Sequence, residues 1–177
     1  MKKRIRWITE TAVMLALLVA LQALTKPLGQ LVTGSFVNAI LAVSALVGGL
    51  GCGLTVALCS PVLAFLLGIA PQILTVPAIM IGNCVYVLLL HPLAKGVGRQ
   101  ILALLAAAVT KFAVLYLIVA KVICGLLAPS LLAAGSLKEP MLQVLPATFS
   151  WPQLFTALIG GTAALLMVPV LRKALRK

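Results

Sequence analysis

Apolar residues dominate the chain in six long runs, which are separated by short stretches rich in glycine, proline and charged residues. A helix that crosses the hydrocarbon core of a membrane needs about 20 mostly apolar residues. The runs therefore predict six transmembrane helices in one all-α bundle that occupies residues 1–177. Their approximate ranges are 8–24, 35–47, 53–67, 72–90, 101–127 and 153–171.

Two of the predicted spans, 35–47 and 53–67, are short for a bilayer of ordinary thickness. Pro61 lies inside the second of them, where it lacks a backbone N–H and disturbs the preceding helical turn. We therefore expect these two helices to be tilted or broken and shielded by their neighbours. The one long connection, residues 130–152, is expected to form a structured loop, because long loops without a function are uncommon.

The composition is that of a membrane protein. Of the 177 residues, 63% are hydrophobic and 9% are charged, whereas a soluble domain is roughly 45–50% apolar and about 25% charged. The first apolar run, Ile8 to Leu24, is too long for the core of a secretory signal, and no small-residue cleavage motif follows it. The net charge of +12 does not predict nucleic-acid binding, because most basic residues lie at the ends of spans.

The positions of the basic residues predict the orientation, since lysine and arginine accumulate in cytoplasmic segments. With a cytoplasmic amino terminus, ten basic residues fall inside and two, Lys26 and Lys138, fall outside. Both termini are therefore predicted to be cytoplasmic, and residues 130–152 extracytoplasmic. The ten inside residues are Lys2, Lys3, Arg4, Arg6, Lys95, Arg99, Arg172, Lys173, Arg176 and Lys177.

The chain lacks the residues that most membrane enzymes and ion-coupled transporters require. Its acids are Glu10 and Glu139, both near a predicted membrane surface, so no buried carboxylate is available for a proton relay or a sodium site. One histidine, His91, and four cysteines without a CxxC pair do not predict a metal site. The sequence has no P-loop either. We predict a protein that is not an enzyme, binds no cofactor and does not itself hydrolyse ATP.

Two lysines lie well inside the fifth predicted span, Lys111 near its middle and Lys121 about 15 Å further along. An ionisable residue at membrane depth is costly and usually lines a cavity or pathway, although Lys121 is close enough to the outer end to snorkel. Neither has a buried acid to neutralise it, and desolvation disfavours an unpaired ammonium. Both lysines therefore indicate a substrate with an anionic group, such as a carboxylate.

Further polar side chains are candidates for the same binding site. Asn83 lies deep in the fourth span, where its amide needs a partner on another helix or on a ligand. Thr33, Asn38, Gln72 and Gln153 lie toward the outer ends of their helices. Together with the lysines, they predict a substrate pocket in the outer half of the bundle, beneath the long loop.

The first span carries small residues at helical spacing. Ala12, Ala16 and Ala20 recur every four residues and so share one face of the helix. Small residues at this spacing let another helix approach closely. Such a face suits either a helix of the same chain or a helix of a partner protein.

Taken together, these features resemble the substrate-binding (S) components of energy-coupling factor (ECF) transporters. The similarity extends over nearly the whole chain: its length, the six spans, the internal termini with basic tails and the face formed by Ala12, Ala16 and Ala20. The segments 32–38 (VTGSFVN) and 77–83 (PAIMIGN) are similar to stretches that are common in uncharacterised members.

The resemblance implies that the protein captures a vitamin or similar micronutrient from outside a bacterial cell membrane. It implies a membrane coupling protein, which the alanine face would contact, and two cytoplasmic ATPases that hydrolyse ATP for uptake. The substrate pocket would lie toward the outer face, between the loop after span one and spans four to six. Two other functions stay open on the sequence: a small stand-alone transporter or channel, and a membrane scaffold protein.

Overall fold

The computed structural model describes residues 2–69, 72–93 and 97–175, and these residues form an all-helical bundle without strands. Three basic residues used to predict the orientation, Lys95, Arg176 and Lys177, lie outside the described residues. Short 3-10 turns, Lys26–Leu28 and Ile73–Thr75, precede two of the helices. The α-helices are α1 (Lys2–Thr25), α2 (Gln30–Val47), α3 (Leu50–Leu66), α4 (Val76–Leu93), α5 (Val97–Leu115), α6 (Ala128–Ala133), α7 (Met141–Thr148) and α8 (Trp151–Ala174).

Five helical segments within the described ranges are long and apolar enough to cross a membrane. Large apolar side chains are exposed on their outer surfaces, as at Leu126 and Leu166, which are 77% and 73% exposed. Because such a surface is suited to lipid rather than water, the protein is an all-α membrane protein. The five segments are Lys3–Leu28, Gln30–Val47, Ile73–His91, Gly98–Leu126 and Met141–Ala174.

The third predicted span, 53–67, corresponds to α3, which has 17 residues and is not among these five segments. That length is at the lower limit of the roughly 17–25 residues that cross a bilayer, so a count of six spans stays a prediction. Of the two alternatives for this helix, the break at Pro61 is wrong, because α3 continues through this buried proline to Leu66, and the tilt stays a prediction. A membrane helix can contain a proline when neighbouring helices shield the backbone carbonyl that loses its hydrogen bond. α3 packs against three such neighbours, α1, α2 and α4.

Two further spans differ from their predicted ranges. α2 begins at Gln30, five residues before the predicted start, since Gly29 turns the chain with φ of 89° and its carbonyl accepts a hydrogen bond from the Thr33 N–H. The fifth span changes type after Leu115 and continues as a π-helix over Tyr116–Leu126. The long connection after it is largely helical, since it contains the end of α6 and all of α7.

Glycine lets α2 and α8 pack closely side by side. A β-carbon on Gly160 would collide with the backbone carbonyl of Ser35, and a β-carbon on Gly34 would lie 2.8 Å from the side chain of Thr156. Small residues at a helix interface allow this approach in membrane proteins. The close contact sets Asn38 of α2 beside Thr156 of α8.

The last carbonyl groups of α2 accept hydrogen bonds from basic side chains. His91 Nδ1 donates to the Ala45 carbonyl at 2.8 Å, and Arg172 Nη2 donates to the Leu46 carbonyl at 2.7 Å. Cationic groups are favourable at a helix carboxyl terminus, where the backbone carbonyls lack helical partners. These contacts close the end of the bundle at which α1 begins and α8 ends.

Candidate functional site

A cavity of about 290 Å³ lies at the opposite end of the bundle, where α1 ends and α2 begins. Small-molecule sites have volumes of roughly 300–1,000 Å³, so this cavity suits a small ligand. Residues of α1, α2, α4, α5, α7 and α8 line it, and α7 of the long connection forms part of its wall. Its apolar walls include Val37, Ile79, Leu145 and Phe149.

Lys111 of α5 lies at the inner end of this cavity. Its side chain is 2% exposed, and Nζ donates to Asn38 Oδ1 at 2.6 Å and to Asn83 Oδ1 at 2.8 Å. The ammonium also lies 5.4 Å from the ring centre of Tyr86, within range of a cation–π interaction. Asn38 is eight residues after Gln30, which places this cluster about 12 Å along α2 from the start of that helix.

The two asparagines differ in the partners of their NH₂ groups. Because an ammonium only donates, both amides must turn their oxygen toward Lys111. The NH₂ group of Asn38 donates to the Gly34 carbonyl at 2.8 Å and to Thr156 Oγ1 at 3.2 Å. The NH₂ group of Asn83 is buried and has no acceptor. Asn83 therefore offers a free donor beside Lys111, and Asn38 does not.

Lys111 itself has donor capacity left. An ammonium has three N–H donors, and two of them point to the amide oxygens of Asn38 and Asn83. No acid compensates its charge, because the two acids of the chain are elsewhere: Glu10 pairs with Arg6 on α1, and Glu139 is exposed in the long connection. The inner end of the cavity is therefore positively charged and rich in donors.

Unpartnered buried polar groups concentrate at this cavity. Among the described residues, three buried side-chain atoms lack a hydrogen-bond partner: Gln22 Oε1, Thr33 Oγ1 and Asn83 Nδ2. All three residues line the cavity. Since most buried polar groups in proteins are hydrogen-bonded, this coincidence indicates a place where a ligand or water supplies the partners.

The structure brings together five of the seven side chains that the sequence suggested for substrate binding. Gln72 is outside the cavity, where its Nε2 donates to the Ser136 carbonyl at 2.9 Å and so links the start of α4 to the long connection. Lys121 is exposed on the π-helix, 5.7 Å from the ring centre of Tyr116. The five that line the cavity are Lys111, Asn83, Asn38, Thr33 and Gln153.

Gln22 and Lys26 are among the cavity residues that the sequence did not suggest for substrate binding. Gln22 is the one amide in an otherwise apolar run from Val13 to Leu24, and a polar residue inside a membrane helix was the available signal. Lys26 follows one helical turn later, is exposed, and donates to the Gly68 carbonyl at 2.9 Å. Both residues belong to the wall of the cavity that α1 and the turn after it form.

The alanine face of the first span points away from the bundle. Ala12, Ala16 and Ala20 are all exposed, and neighbouring apolar side chains such as Val13 and Leu17 are exposed with them. No helix within the described part of the chain covers this face. It is therefore available to lipid or to a partner helix.

Neither a metal cluster nor a known relative assists in assigning a function. Within the described ranges, no group of three histidine, cysteine or acidic residues could hold a metal ion. The chain matches no protein-family model, and no curated protein or solved structure is significantly similar to it. Its function is therefore inferred from the geometry and chemistry of the cavity.

Proposed function

We propose that the protein is a receptor in a bacterial cell membrane that captures a small anionic micronutrient in this cavity and delivers it to an ATP-driven uptake complex. The observation that carries the proposal is the inner end of the cavity, where buried Lys111 and the NH₂ group of Asn83 offer donors and no acid is present. A carboxylate or phosphate group would complete both sets of hydrogen bonds and neutralise the lysine.

The distribution of basic residues supports an outward-facing cavity. The end of the bundle that contains the start of α1 and the end of α8 carries Arg4, Arg6, Arg99 and Arg172, whereas Lys26 lies at the cavity end. Under the positive-inside rule the basic end is cytoplasmic. The cavity would then receive its ligand from the outside.

The packing beyond Lys111 favours a receptor over a channel or a stand-alone transporter. On the cytoplasmic side of the cluster the bundle is filled by fully buried side chains, among them Leu41, Tyr86, Leu90 and Ala107. Nearer to the cytoplasmic end of the bundle, His91 and Arg172 donate hydrogen bonds to the last carbonyl groups of α2. A ligand at Lys111 would therefore need a large rearrangement to leave inward, which a partner driven by ATP could supply.

The exposed alanines favour an S component of an ECF transporter over a scaffold protein. In this proposal, Ala12, Ala16 and Ala20 contact a membrane coupling protein, and two cytoplasmic ATPases hydrolyse the ATP. A helix can pack closely against small side chains, and the three alanines are uncovered by the protein's own helices.

Native mass spectrometry of the protein purified without added ligand tests the proposed function, with Lys111→Met and Lys121→Met as matched variants. We expect wild type and Lys121→Met to retain the same small anion, since Lys121 lies outside the cavity. Lys111→Met should release it, because breaking one side of a buried charged pair costs about 3–5 kcal/mol, or at least a hundredfold in affinity. Equal affinity of Lys111→Met and wild type for the identified molecule would refute the anion site.

A further inference from the structure

The wall of the cavity opposite the lysine cluster carries a second set of unpartnered polar groups. Gln22 Oε1 on α1 and Thr33 Oγ1 on α2 are buried and make no hydrogen bond. Thr33 precedes Asn38 by five residues, so it lies about 7.5 Å nearer to the start of α2. The cavity thus has two separated polar regions: the inner one at Lys111 and Asn83, and an outer one at Gln22 and Thr33.

The two regions differ in charge and in hydrogen-bonding capacity. The inner region is cationic and has unused donors on Lys111 Nζ and Asn83 Nδ2, while both asparagine oxygens already accept a hydrogen bond from Lys111. Gln22 and Thr33 of the outer region carry no charge, and the amide and the hydroxyl can each accept or donate a hydrogen bond. Apolar side chains, including Ile79, Leu145 and Phe149, line the rest of the wall.

The chemistry of the outer region disfavours a charged ligand group there. A cation would meet Lys26, which lines the same part of the cavity, as well as the field of buried Lys111. A second anion would find only Lys26, whose ammonium is exposed and already donates to the Gly68 carbonyl. An exposed lysine contributes little to the binding of an anion. An uncharged hydroxyl or amide fits Gln22 and Thr33 without this conflict.

We propose that the ligand has two polar ends: a carboxylate that binds Lys111 and Asn83, and an uncharged hydroxyl or amide group that hydrogen-bonds to Gln22 and Thr33. The apolar walls contact the carbon skeleton between the two ends. This inference rests on the proposed function as an anion receptor. Gln22 is then the residue that distinguishes the ligand from simple carboxylates of the same length.

Binding measurements with simple probes test this assignment. The probes are butyrate, hexanoate and octanoate, their ω-hydroxy derivatives, and the diols of the same lengths, titrated calorimetrically into the purified protein in detergent. The variants are Gln22→Leu, Thr33→Val and Lys111→Met, with Gln143→Leu as a matched control on the exposed face of α7. Retained binding of the plain acids reports that Gln22→Leu and Thr33→Val are folded.

For at least one chain length, we expect wild type and Gln143→Leu to bind the hydroxy acid about fivefold to tenfold more tightly than the plain acid. This factor corresponds to about one neutral hydrogen bond. Gln22→Leu should abolish the preference, so that the hydroxy acid binds no more tightly than the plain acid, and Thr33→Val should reduce the preference. Lys111→Met should weaken both acids by about a hundredfold and the diol much less, because the diol has no anionic group to pair with the lysine.

The outcomes separate the second polar region from the anion site. If wild type shows no preference for the hydroxy acid at any length, or if Gln22→Leu keeps the preference, the two-ended ligand is wrong. The anion site still stands in that case, provided that Lys111→Met weakens the acids. If Lys111→Met binds the acids as wild type does, or if no acid binds to wild type at millimolar concentration, both proposals fail.

Discussion

Asn83→Asp would place a carboxylate directly beside the position that we assign to the anionic group of the ligand. The substitution keeps the shape of the side chain and replaces the unpartnered NH₂ group with an oxygen. The new carboxylate would lie about 2.8 Å from Lys111 Nζ, as the amide oxygen does now. We expect the variant to be more stable than wild type without ligand and to bind anions poorly.

The distances give the size of both effects. At an effective dielectric constant of about 20, unit charges 2.8 Å apart attract each other by about 6 kcal/mol. Desolvation of the carboxylate removes several kcal/mol of this gain, which leaves a net stabilisation of about 1–3 kcal/mol. A ligand anion about 4 Å from the new carboxylate would be repelled by about 4 kcal/mol, which corresponds to roughly a thousandfold loss of affinity.

Asn38→Asp is the matched control, since it adds the same charge beside the same lysine. Here the NH₂ group that is lost donates to the Gly34 carbonyl and to Thr156 Oγ1. The partly buried Gly34 carbonyl would face a carboxylate oxygen instead of a donor, at a cost of about 1–3 kcal/mol. We therefore expect both variants to lose anion binding, while only Asn83→Asp gains stability.

Thermal unfolding in detergent and calorimetric titration with hexanoate measure the two effects separately. We expect Asn83→Asp to have a higher melting temperature than both wild type and Asn38→Asp, because in Asn38→Asp the gain from the ion pair and the cost at Gly34 are of similar size. A melting temperature of Asn83→Asp below that of Asn38→Asp would contradict the hydrogen-bond assignment at the two asparagines. Undiminished hexanoate binding by Asn83→Asp would refute the position of the anion site.

Three further predictions concern orientation, partners and packing. A single cysteine at position Ser136, in a variant without the native cysteines, should react with a membrane-impermeant maleimide added outside; labelling only from the cytoplasm would reverse the orientation. Ala16→Leu should block transport by the assembled complex and leave ligand binding intact, because Ala16 is exposed; loss of both would place this face inside the subunit. Gly160→Ala should lower the melting temperature through its collision with Ser35, whereas Gly125→Ala, with no atom nearer than 3.5 Å, should not.

The sequence predicted which types of side chain form the candidate site better than it predicted which of those side chains lie together. Lys111 and Lys121 are alike in chemistry and lie in the same predicted span, yet one is buried in the cavity and the other is exposed. An α-helix turns by about 100° per residue, so two side chains ten residues apart in one predicted span need not face the same direction. In a helix that is apolar all round, no amphipathic pattern indicates which direction faces the protein.

At the start of α2, polar residues that line the cavity make the helix difficult to recognise in the sequence. Residues 30–34 contain Gln30, Thr33 and Gly34 and were predicted to lie outside the span, but they are helical. All three line the cavity. Polar residues there interrupt the apolar run, and Gly34 is small because Thr156 lies against it. Functional residues lower the local agreement between sequence pattern and structure.

The absence of an acid beside Lys111 is consistent with its proposed role. A carboxylate in the chain would neutralise the lysine permanently and compete with an anionic ligand, as Asn83→Asp is designed to do. Neutral amide oxygens keep the ammonium hydrogen-bonded in the empty protein and leave its charge uncompensated. A ligand that completes this site binds only the folded protein, so it should raise the stability by about 4.1 kcal/mol at a thousandfold excess over its Kd. The uncompensated charge of Lys111 then destabilises the protein without ligand, and the same charge strengthens its binding of a dilute anion.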